Sequence, residues 1–357
     1  WIVPLTLYLL TFIVVFAVPK WNLGYWFSLL MPLVLLPAVY TSLSAMNWTI
    51  SIFHLIAFVV VAMACHGRLA ALRPGVEHLT RFYMAMSLGG VLGGMFNSLV
   101  APLIFRGIWE YPLVLCVAAL LREIHQPARR SAASRWLDLL IPVLGLELSW
   151  GIKTLTKSWD DAWGLWIGIG VMTLCCLIWT RHRYRYFFCL LVPIAAEIVW
   201  GLSRPSILLV ERSFFGVIKV TEVAEEHILT HGATIHGFQS LDPAKQCQTN
   251  GYYDPTGPIV QVFNAVQPRP GEPQKVAILG LGSGTLVCLK APQRKFTYYE
   301  IDPVILRIAS NPKYFTYLSD CGEGTFDVVL GDGRLKISEA EDQSYDRTMF
   351  DAFSSDA

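Results

Sequence analysis

The chain is short of charge. Only 15% of its 357 residues are Asp, Glu, Lys or Arg, whereas 54% are hydrophobic and the mean hydropathy is +0.46. Soluble domains carry about a quarter charged residues, so this composition excludes a disordered chain and argues against a wholly soluble one. Residues 1–204 hold 15 basic and 8 acidic residues, and residues 205–357 hold 13 and 19. The two parts are therefore expected to face different solvents.

Paired cysteine motifs are also missing. The eight cysteines include no C-x-x-C pair, and five of them lie within apolar runs. This pattern is typical of neither a disulfide framework nor a zinc site, so we expect reduced thiols in a reducing compartment. His and Cys residues form no cluster with metal-ligand spacing, and we expect no bound metal.

Long apolar runs fill the first part of the chain. Runs close to the length that crosses about 30 Å of hydrocarbon occur at residues 1–18, 27–43, 50–65, 82–105, 136–152, 163–180 and 186–202. A further run at 110–121 is short for a span. Residues 1–204 are therefore predicted to form an α-helical polytopic membrane domain of seven or eight spans.

A few residues depart from this apolar pattern. Small residues at four-residue spacing let a neighbouring helix approach closely, and this spacing occurs at Gly89, Gly90, Gly93 and Gly94. Packing within the same bundle is the favoured interpretation, and a homodimer seam is the alternative. Ionisable groups at depth either mark a substrate path or hydrogen-bond within the bundle, and these groups are His54, Glu147 and Glu197.

From residue 205 the pattern changes to strand-length alternations. Residues 207–210 and 214–220 predict strands, and residues 226–239 predict a hairpin that turns at Gly232. A polar loop and a Pro-Arg-Pro-Gly linker at 268–271 follow. We therefore expect a small β-domain over residues 205–270.

The remaining residues predict a nucleoside site. A buried-type strand runs into the glycine-rich turn 280–284, and the next strand ends in the acidic pair Glu300 and Asp302. Glycines permit a tight turn and close approach of a ligand, and an acid about 20 residues later accepts both ribose hydroxyls. Glu300 lies 18 residues after Gly282, as that arrangement requires.

Two further acids follow later predicted strands. Asp332 comes after residues 326–330, where it could accept from an adenine amino group, and Asp351 comes after the strand that follows. Carboxylates after successive parallel strands share the crevice at the carboxyl edge of the sheet. Residues 271–357 are therefore predicted to form a Rossmann-like α/β domain. We expect it to be incomplete at its C-terminus, because about four strands precede Ala357.

Taken in order, the motifs of residues 205–357 resemble the spermidine synthase (polyamine aminopropyltransferase) family, and the whole chain resembles its membrane-fused branch. The motifs are Arg-Ser-Phe-Phe-Gly-Val (212–217), His-Gly-Phe-Gln (236–239), Tyr-Tyr-Asp-Pro-Thr-Gly-Pro (252–258), Gly-Leu-Gly-Ser-Gly-Thr (280–285), Tyr-Glu-Ile-Asp-Pro (299–303), Gly-Asp-Gly (331–333) and Asp-Ala-Phe-Ser-Ser-Asp (351–356). The resemblance implies a polytopic domain, a small β-domain and a class I methyltransferase-type α/β sheet.

The resemblance also implies a reaction and its residues. An aminopropyl group would pass from decarboxylated S-adenosylmethionine to an amine such as putrescine, with no metal, because a neutral thioether leaves a sulfonium readily. Asp351 would orient and deprotonate the amine with Asp356 nearby, while Gln239 and Tyr253 would line the amine pocket. The donor would be held by Gly280, Gly282, Ser283, Gly284, Glu300, Asp332 and Gly333. The implied partners are a small-molecule amine and the lipid bilayer, with no nucleic acid.

Ser283 departs from the family pattern, in which an aspartate holds the donor's terminal ammonium. A serine cannot form that ion pair, so unmodified S-adenosylmethionine becomes easier to accept as the donor. A methyltransferase that uses S-adenosylmethionine is therefore one alternative. A transporter or sensor, whose nucleoside domain regulates the spans, is another, and the ionisable groups at depth motivate it.

The orientation in the membrane depends on how the run at 110–121 is counted. If it spans, basic residues divide eleven to three between the two faces, and the positive-inside rule puts the C-terminal part outside the cytoplasm. If it does not span, they divide six to eight, which decides nothing. Because the implied donor exists inside cells, we expect a multi-pass protein of the cell (inner or plasma) membrane with a cytoplasmic catalytic domain.

Overall fold

The computed structural model describes residues 2–18, 21–42, 48–122, 136, 140, 143–144, 147, 183–201, 206–232, 234–322, 324–342 and 344–351. Its contacts divide the chain into two units, residues 1–101 with 109–203 and residues 102–108 with 204–357. The first unit is helical and the second is built on two sheets, as the sequence predicts at this level. The predicted span at 163–180, and most of that at 136–152, lie outside the described residues.

Apolar helices make up the described part of the N-terminal region. They are α1 (Ile2–Ala17), α2 (Leu23–Ser42), α3 (Trp48–Ala71), α4 (Leu79–Met95), α5 (Ala101–Ile104), α6 (Glu110–Leu121) and α7 (Arg183–Gly201). A π-helical turn over Phe96–Val100 joins α4 to α5. Among the described residues, three stretches are long and apolar enough to cross a membrane, namely α2, α3 and Val76–Ile104. This supports a membrane protein.

Two glycines bring helices α2 and α3 into close contact. A Cβ atom added to Gly67 would lie 2.3 Å from Gly24 Cα, so α2 and α3 pack backbone against backbone at this point. The four glycines of α4 behave differently, because a Cβ on any of them would meet nothing within 4 Å in the described part of the chain. Among the described residues, no helix packs against these four glycines, so the predicted packing within the bundle is not seen there.

The ionisable groups in the apolar runs differ in their surroundings. His54 Nε2 lies 3.0 Å from Thr41 Oγ1, and His54 Nδ1 lies 2.6 Å from the Tyr111 hydroxyl oxygen. Both ring nitrogens are thus engaged, and His54 ties α2, α3 and α6 together. The side chain of Glu147 is exposed, and that of Glu197 lies outside the described residues.

The C-terminal unit contains an antiparallel sheet followed by a parallel one. The first has the order β1 (Ile207–Ser213), β2 (Gly216–Val223), β3 (Glu226–His231) and β4 (Thr234–Ser240). Its β3–β4 turn contains Gly232 at φ +59°, where the sequence predicts the hairpin to turn. The second sheet has the order β7-β6-β5-β8, with β5 (Gln274–Leu279), β6 (Arg294–Glu300), β7 (Phe326–Leu330) and β8 (Arg347–Phe350).

Three short helices accompany the parallel sheet. They are α8 (Pro258–Ala265), α9 (Pro303–Ala309) and α10 (Gly333–Ser338). Helix α9 begins after β6 and α10 begins after β7, each with an aspartate as its N-cap. From β5 the chain moves outward to β6 and β7, and then returns to the other side of β5 as β8. Such a reversal opens a crevice at the carboxyl ends of the strands, where ligands bind in open parallel sheets.

The two sheets share one hydrophobic core. Buried side chains of the antiparallel sheet and of the parallel sheet belong to a single cluster, which includes Ile218, Val220, Leu229, Val276, Ile278, Phe296 and Tyr298. The segments predicted as two domains, 205–270 and 271–357, therefore pack as one unit. Burying the apolar face of the antiparallel sheet stabilises both parts, because an isolated four-stranded sheet would leave that face in water.

A disulfide bond contradicts the expectation that the cysteines are reduced. Cys247 and Cys321 are bonded, with their Cα atoms 5.5 Å apart and a separation of 74 positions in sequence. The sequence shows no sign of this pair, because the fold brings together a loop after β4 and a π-helical turn that follows α9. Cys65, Cys116 and Cys189 of the helical unit, and Cys288, have free thiols.

Candidate functional site

A cavity of about 420 Å³ lies in the C-terminal unit at the carboxyl edge of the parallel sheet. The residues that line it are Phe215, His231, His236, Tyr252, Tyr253, 279–282, 299–302, Ile305, 332–334 and Asp351. Four of these are carboxylates, and Arg334 is the one Lys or Arg among the described lining residues. The cavity wall is therefore acidic, which suits a cationic ligand.

The glycine-rich turn directly follows β5. Gly280, Gly282 and Gly284 have φ values of +103°, +56° and +87°, which side chains rarely adopt. Gly280 and Gly282 line the cavity, whereas Gly284 does not. A Cβ on Gly282 would lie 3.0 Å from the carbonyl oxygen of His236 in β4, so the turn is also pressed against the antiparallel sheet.

Ser283 faces this sheet instead of the cavity. Its side chain is 2% exposed, and its Oγ lies 2.8 Å from Thr285 Oγ1. A Cβ on Gly237 of β4 would lie 2.2 Å from Ser283 Oγ, so only a glycine fits opposite this serine. The sequence places Ser283 at the donor's terminal group, but the structure places its side chain outside the cavity lining.

Glu300 ends β6 and is held by backbone groups. Its Oε2 accepts a hydrogen bond from Leu281 N at 2.9 Å, and its Oε1 accepts one from Asp302 N at 2.8 Å. Burial raises the pKa of Glu300, and the backbone N–H groups act in the opposite direction. Each carboxylate oxygen can accept more than one hydrogen bond, so both oxygens can still receive hydroxyls from a ligand.

Asp302 is a lining residue to which the sequence assigns no role. Its Oδ1 caps α9 by accepting from Val304 N at 2.9 Å, which the pattern Glu-Ile-Asp-Pro signals. The residue is 3% exposed, and its Oδ2 is buried without a hydrogen-bond partner in the described part of the chain. Because that oxygen is shielded from the cavity as well, Asp302 contributes a carboxylate to the acidic wall and the cap of α9.

Asp332 and Gly333 mark the start of α10. Asp332 Oδ1 accepts from the backbone N of Arg334 at 2.9 Å and of Leu335 at 3.3 Å. A Cβ on Gly333 would lie 3.2 Å from Leu279 Cγ, so α10 begins close against β5. The adenine-side carboxylate of the sequence prediction is therefore also the N-cap that positions this wall of the cavity.

Asp351 follows β8 and reaches the same cavity. Its backbone N donates to Leu279 O at 2.9 Å, which extends the pairing of β8 with β5. Burial raises the pKa of Asp351 to about 6, although a hydrogen bond from the Tyr253 hydroxyl lowers it in part. Burial, and next the nearby Asp351 charge, raise the pKa of Tyr253, so Tyr253 is a neutral donor. The cavity thus contains a carboxyl group that titrates near neutrality.

Gln239 lies away from the cavity. Its Nε2 donates to Gln246 O at 2.9 Å and to Thr316 Oγ1 at 3.0 Å, and its Oε1 accepts from Thr316 N at 2.8 Å. The side chain is 3% exposed and is absent from the described cavity lining. Gln239 therefore joins β4 to the loop that carries Cys247 and to the segment after α9. Asp356 lies outside the described residues.

Two histidines of the antiparallel sheet line the cavity, and the sequence gives them no role. His231 Nε2 donates to the carbonyl oxygen of Phe215 at 2.9 Å, and the rings of His231 and His236 have centroids 5.6 Å apart. Burial, followed by the proximity of His231, lowers the pKa of His236. A neutral His236 adds a polar wall without adding positive charge. The only sequence signal is that both histidines flank the Gly232 turn.

No family model and no curated protein matches this chain.

The cavity brings together the glycines Gly280 and Gly282, the carboxylate of Glu300, which two backbone N–H groups fix, and the carboxyl group of Asp351, whose pKa is about 6. The glycines and Glu300 suit a nucleoside with vicinal hydroxyls. Asp351 can take a proton from a bound nucleophile at neutral pH.

Proposed function

We propose that this chain is a membrane-anchored aminopropyltransferase of the spermidine synthase type. It transfers an aminopropyl group from decarboxylated S-adenosylmethionine to an amine such as putrescine, on a Rossmann-like sheet. The observation that carries the proposal is that Glu300 and Asp351, which follow β6 and β8, line one cavity. One carboxylate suits the ribose of a donor and the other suits the amine.

The order of the parallel sheet supports a nucleoside donor. The glycine-rich turn follows β5, and Glu300 ends the neighbouring strand β6. In open parallel sheets with this arrangement, the glycine-rich turn lets the ligand come close to the protein backbone, and the acid accepts hydrogen bonds from the ribose hydroxyls. Gly280 and Gly282 would lie under the nucleoside, while Asp332 and Gly333 would border its base.

The environment of Asp351 supports direct displacement. The amine nitrogen forms a bond to the carbon next to the sulfonium, the carbon–sulfur bond breaks, and the electron pair leaves with a neutral thioether. The amine's proton passes to the Asp351 carboxylate, whose pKa of about 6 leaves it ionised at neutral pH. Tyr253 holds that carboxylate in place by donating to Oδ2. The residues thus supply alignment and a proton acceptor.

Arg334 favours a second candidate function. It is the one guanidinium among the described lining residues, and it could pair with the carboxylate of unmodified S-adenosylmethionine. The enzyme would then transfer a methyl group instead of an aminopropyl group. His54, one of the three groups that motivate a transporter or sensor, has both ring nitrogens engaged in contacts between helices.

Product mass distinguishes the two reactions. The purified full chain is incubated with decarboxylated or unmodified donor and a panel of amines, and the products are analysed by mass spectrometry. A gain of one aminopropyl unit supports the proposal, whereas a gain of one methyl group supports the second candidate. The absence of both products with every amine, despite donor binding, would contradict the proposed transfer.

Substitution of Asp351 tests its role as proton acceptor. We expect Asp351→Asn to lower turnover at least ~100-fold, because the amide cannot take the amine's proton, while the donor dissociation constant stays nearly unchanged. Asp327→Asn is the matched control, since Asp327 lies on β7 in an exposed ion pair with Lys295. Unchanged turnover in Asp351→Asn would remove Asp351 from the mechanism. Glu300→Ala should instead weaken donor binding.

A further inference from the structure

One end of the helical unit gathers buried arginines, and their contacts show which helix ends lie there. Arg122 Nε donates to Ser28 O at 2.7 Å, and Arg68 donates to Leu121 O at 2.5 Å. Tyr186, next to the buried Arg185, donates to Pro32 O at 3.3 Å. The first half of α2, the first turn of α7 and the last turns of α3 and α6 therefore meet. We call this group of helix ends the arginine end.

The opposite ends of the same helices also meet. His54, near the start of α3, contacts Thr41 at the end of α2 and Tyr111 at the start of α6. Helix α6, formed by Glu110–Leu121, thus runs in the same direction as α3, from the His54 contacts to the arginine end. Helix α7 begins at the arginine end and contains 19 residues, or roughly 28 Å of helix, so it finishes far from that end.

The distribution of charge gives this bundle a direction. Among the described residues, most basic residues follow α3 or α6, or lie at the ends of helices that meet at the arginine end: Arg68, Arg73, Arg81, Arg122, Arg183 and Arg185. Arg106, just before α6, is the described basic residue at the opposite end. Because basic connectors are retained on the cytoplasmic side, the arginine end is the cytoplasmic end.

The chain reaches its C-terminal unit from the far end of α7. Only residues 202–205 separate Gly201, which ends α7, from Ser206, just before β1. Four residues extend over ~14 Å at most, which is about half of the hydrocarbon thickness. The connection is therefore too short to return across the bilayer.

The disulfide bond is an independent observation that agrees with this direction. Cys247 and Cys321 both lie in the C-terminal unit. Their bond forms when the two thiols give up two protons and two electrons to a dithiol–disulfide oxidoreductase, and such bonds persist outside the reducing cytosol.

We propose that the C-terminal unit faces the non-cytoplasmic, oxidising side of the membrane. This replaces the cytoplasmic placement that was expected from the donor's chemistry. The proposal does not depend on the reaction. If the aminopropyl transfer also holds, both the cationic donor and the amine have to be supplied on that face, so a separate transport step must precede the reaction.

Cysteine labelling in intact cells tests the orientation. Glu341→Cys places an exposed thiol in the C-terminal unit, and Glu77→Cys places one on the connector between α3 and α4. With a membrane-impermeant maleimide, we expect Glu341→Cys to be labelled in intact cells and Glu77→Cys only after permeabilisation. The parent chain gives the background from native thiols, and a cytoplasmic marker protein reports leakage.

Two outcomes overturn the proposal. The first is protection of Glu341→Cys in intact cells together with labelling after permeabilisation. The second is the recovery of Cys247 and Cys321 as free thiols when cells are quenched with acid and alkylated before any reduction. Because neither measurement uses enzymatic activity, the orientation can fail while the proposed transfer holds, and the reverse is equally distinguishable.

Discussion

At the scale of single residues, Asp351 and Tyr253 form the pair on which the proposed chemistry depends. Asp351 must be ionised to accept a proton, and burial raises its pKa from 3.8 to about 6. The reaction rate should therefore fall as the pH drops below about 6, whereas an ordinary aspartate would remain active to about pH 4. The Tyr253 hydrogen bond opposes the shift, because it stabilises the ionised carboxylate.

Tyr253→Phe tests this hydrogen bond. Without the donor, the pKa of Asp351 should rise further, so the acid limb of the pH–rate profile should move to higher pH. Tyr314→Phe is the matched control, since Tyr314 lies outside the described cavity lining. A profile of Tyr253→Phe that coincides with that of the parent chain would show that the tyrosine does not act through Asp351.

Asp302 is a second carboxyl residue of the cavity wall. Asp302→Asn keeps an oxygen that can cap α9 but removes a carboxyl group from the lining. We expect weaker donor binding, by about tenfold, with little change in the thermal unfolding temperature, because a less acidic wall attracts a cationic donor less strongly. Equal dissociation constants for Asp302→Asn and the parent chain would leave Asp302 with a capping role alone.

At the scale of secondary structure elements, the contact between β4 and the glycine-rich turn requires a glycine at position 237. Gly237 combines a φ of +151° with a position against Ser283. We expect Gly237→Ala to lower the free energy of unfolding by about 3 kcal/mol, because the new methyl group overlaps the serine and the backbone is strained.

Gly271→Ala separates the two causes of the lost stability, which are backbone strain and steric overlap. Gly271 has a φ of +87°, yet a Cβ there would meet nothing within 4 Å, so only strain of about 1 kcal/mol should appear. In the double variant Gly237→Ala/Ser283→Gly, part of the cost of Gly237→Ala should be recovered. Thermal unfolding of the purified chain gives these differences. Strictly additive costs would show that the methyl group and the serine do not overlap.

Much at this scale was predictable from the sequence. The strands and the turn at Gly232 follow from alternating apolar residues and from glycine. The acids Glu300, Asp332 and Asp351 meet because parallel strands end at one edge, which is a property of any such sheet.

Other features depend on contacts that no local pattern records. The direction of the Ser283 side chain is set within an irregular turn, where no periodicity applies. Gln239 lies in a motif of the expected type, but its side-chain amide is bonded to Gln246 in the next loop and to Thr316, which lies 77 positions away in sequence. The disulfide joins residues 74 positions apart, and only the packed fold shows them together.

At the scale of the whole molecule, the same disulfide links parts of the C-terminal unit that are far apart in the chain. A cross-link between residues 74 positions apart restricts the unfolded chain. In the loop-entropy model, this restriction raises the free energy of unfolding by about 4 kcal/mol. We expect reducing agents to lower the thermal unfolding temperature of the C-terminal unit, and Cys247→Ser with Cys321→Ser to abolish this response. Cys288→Ser should retain it. A response that survives in the double variant would assign it to another bond.

The close approach of Gly282 and Gly237 to their neighbours also limits how this molecule can work. A Cβ on Gly282 or on Gly237 would overlap the atoms that face it across the contact between the turn and β4, so no space separates the two. We therefore expect the antiparallel sheet to stay fixed against the turn and substrates to enter past another wall of the cavity, where Tyr252 is 56% exposed beside Tyr253. New substrate preferences would then arise more readily by changes in the 241–257 loop than by changes at Gly237.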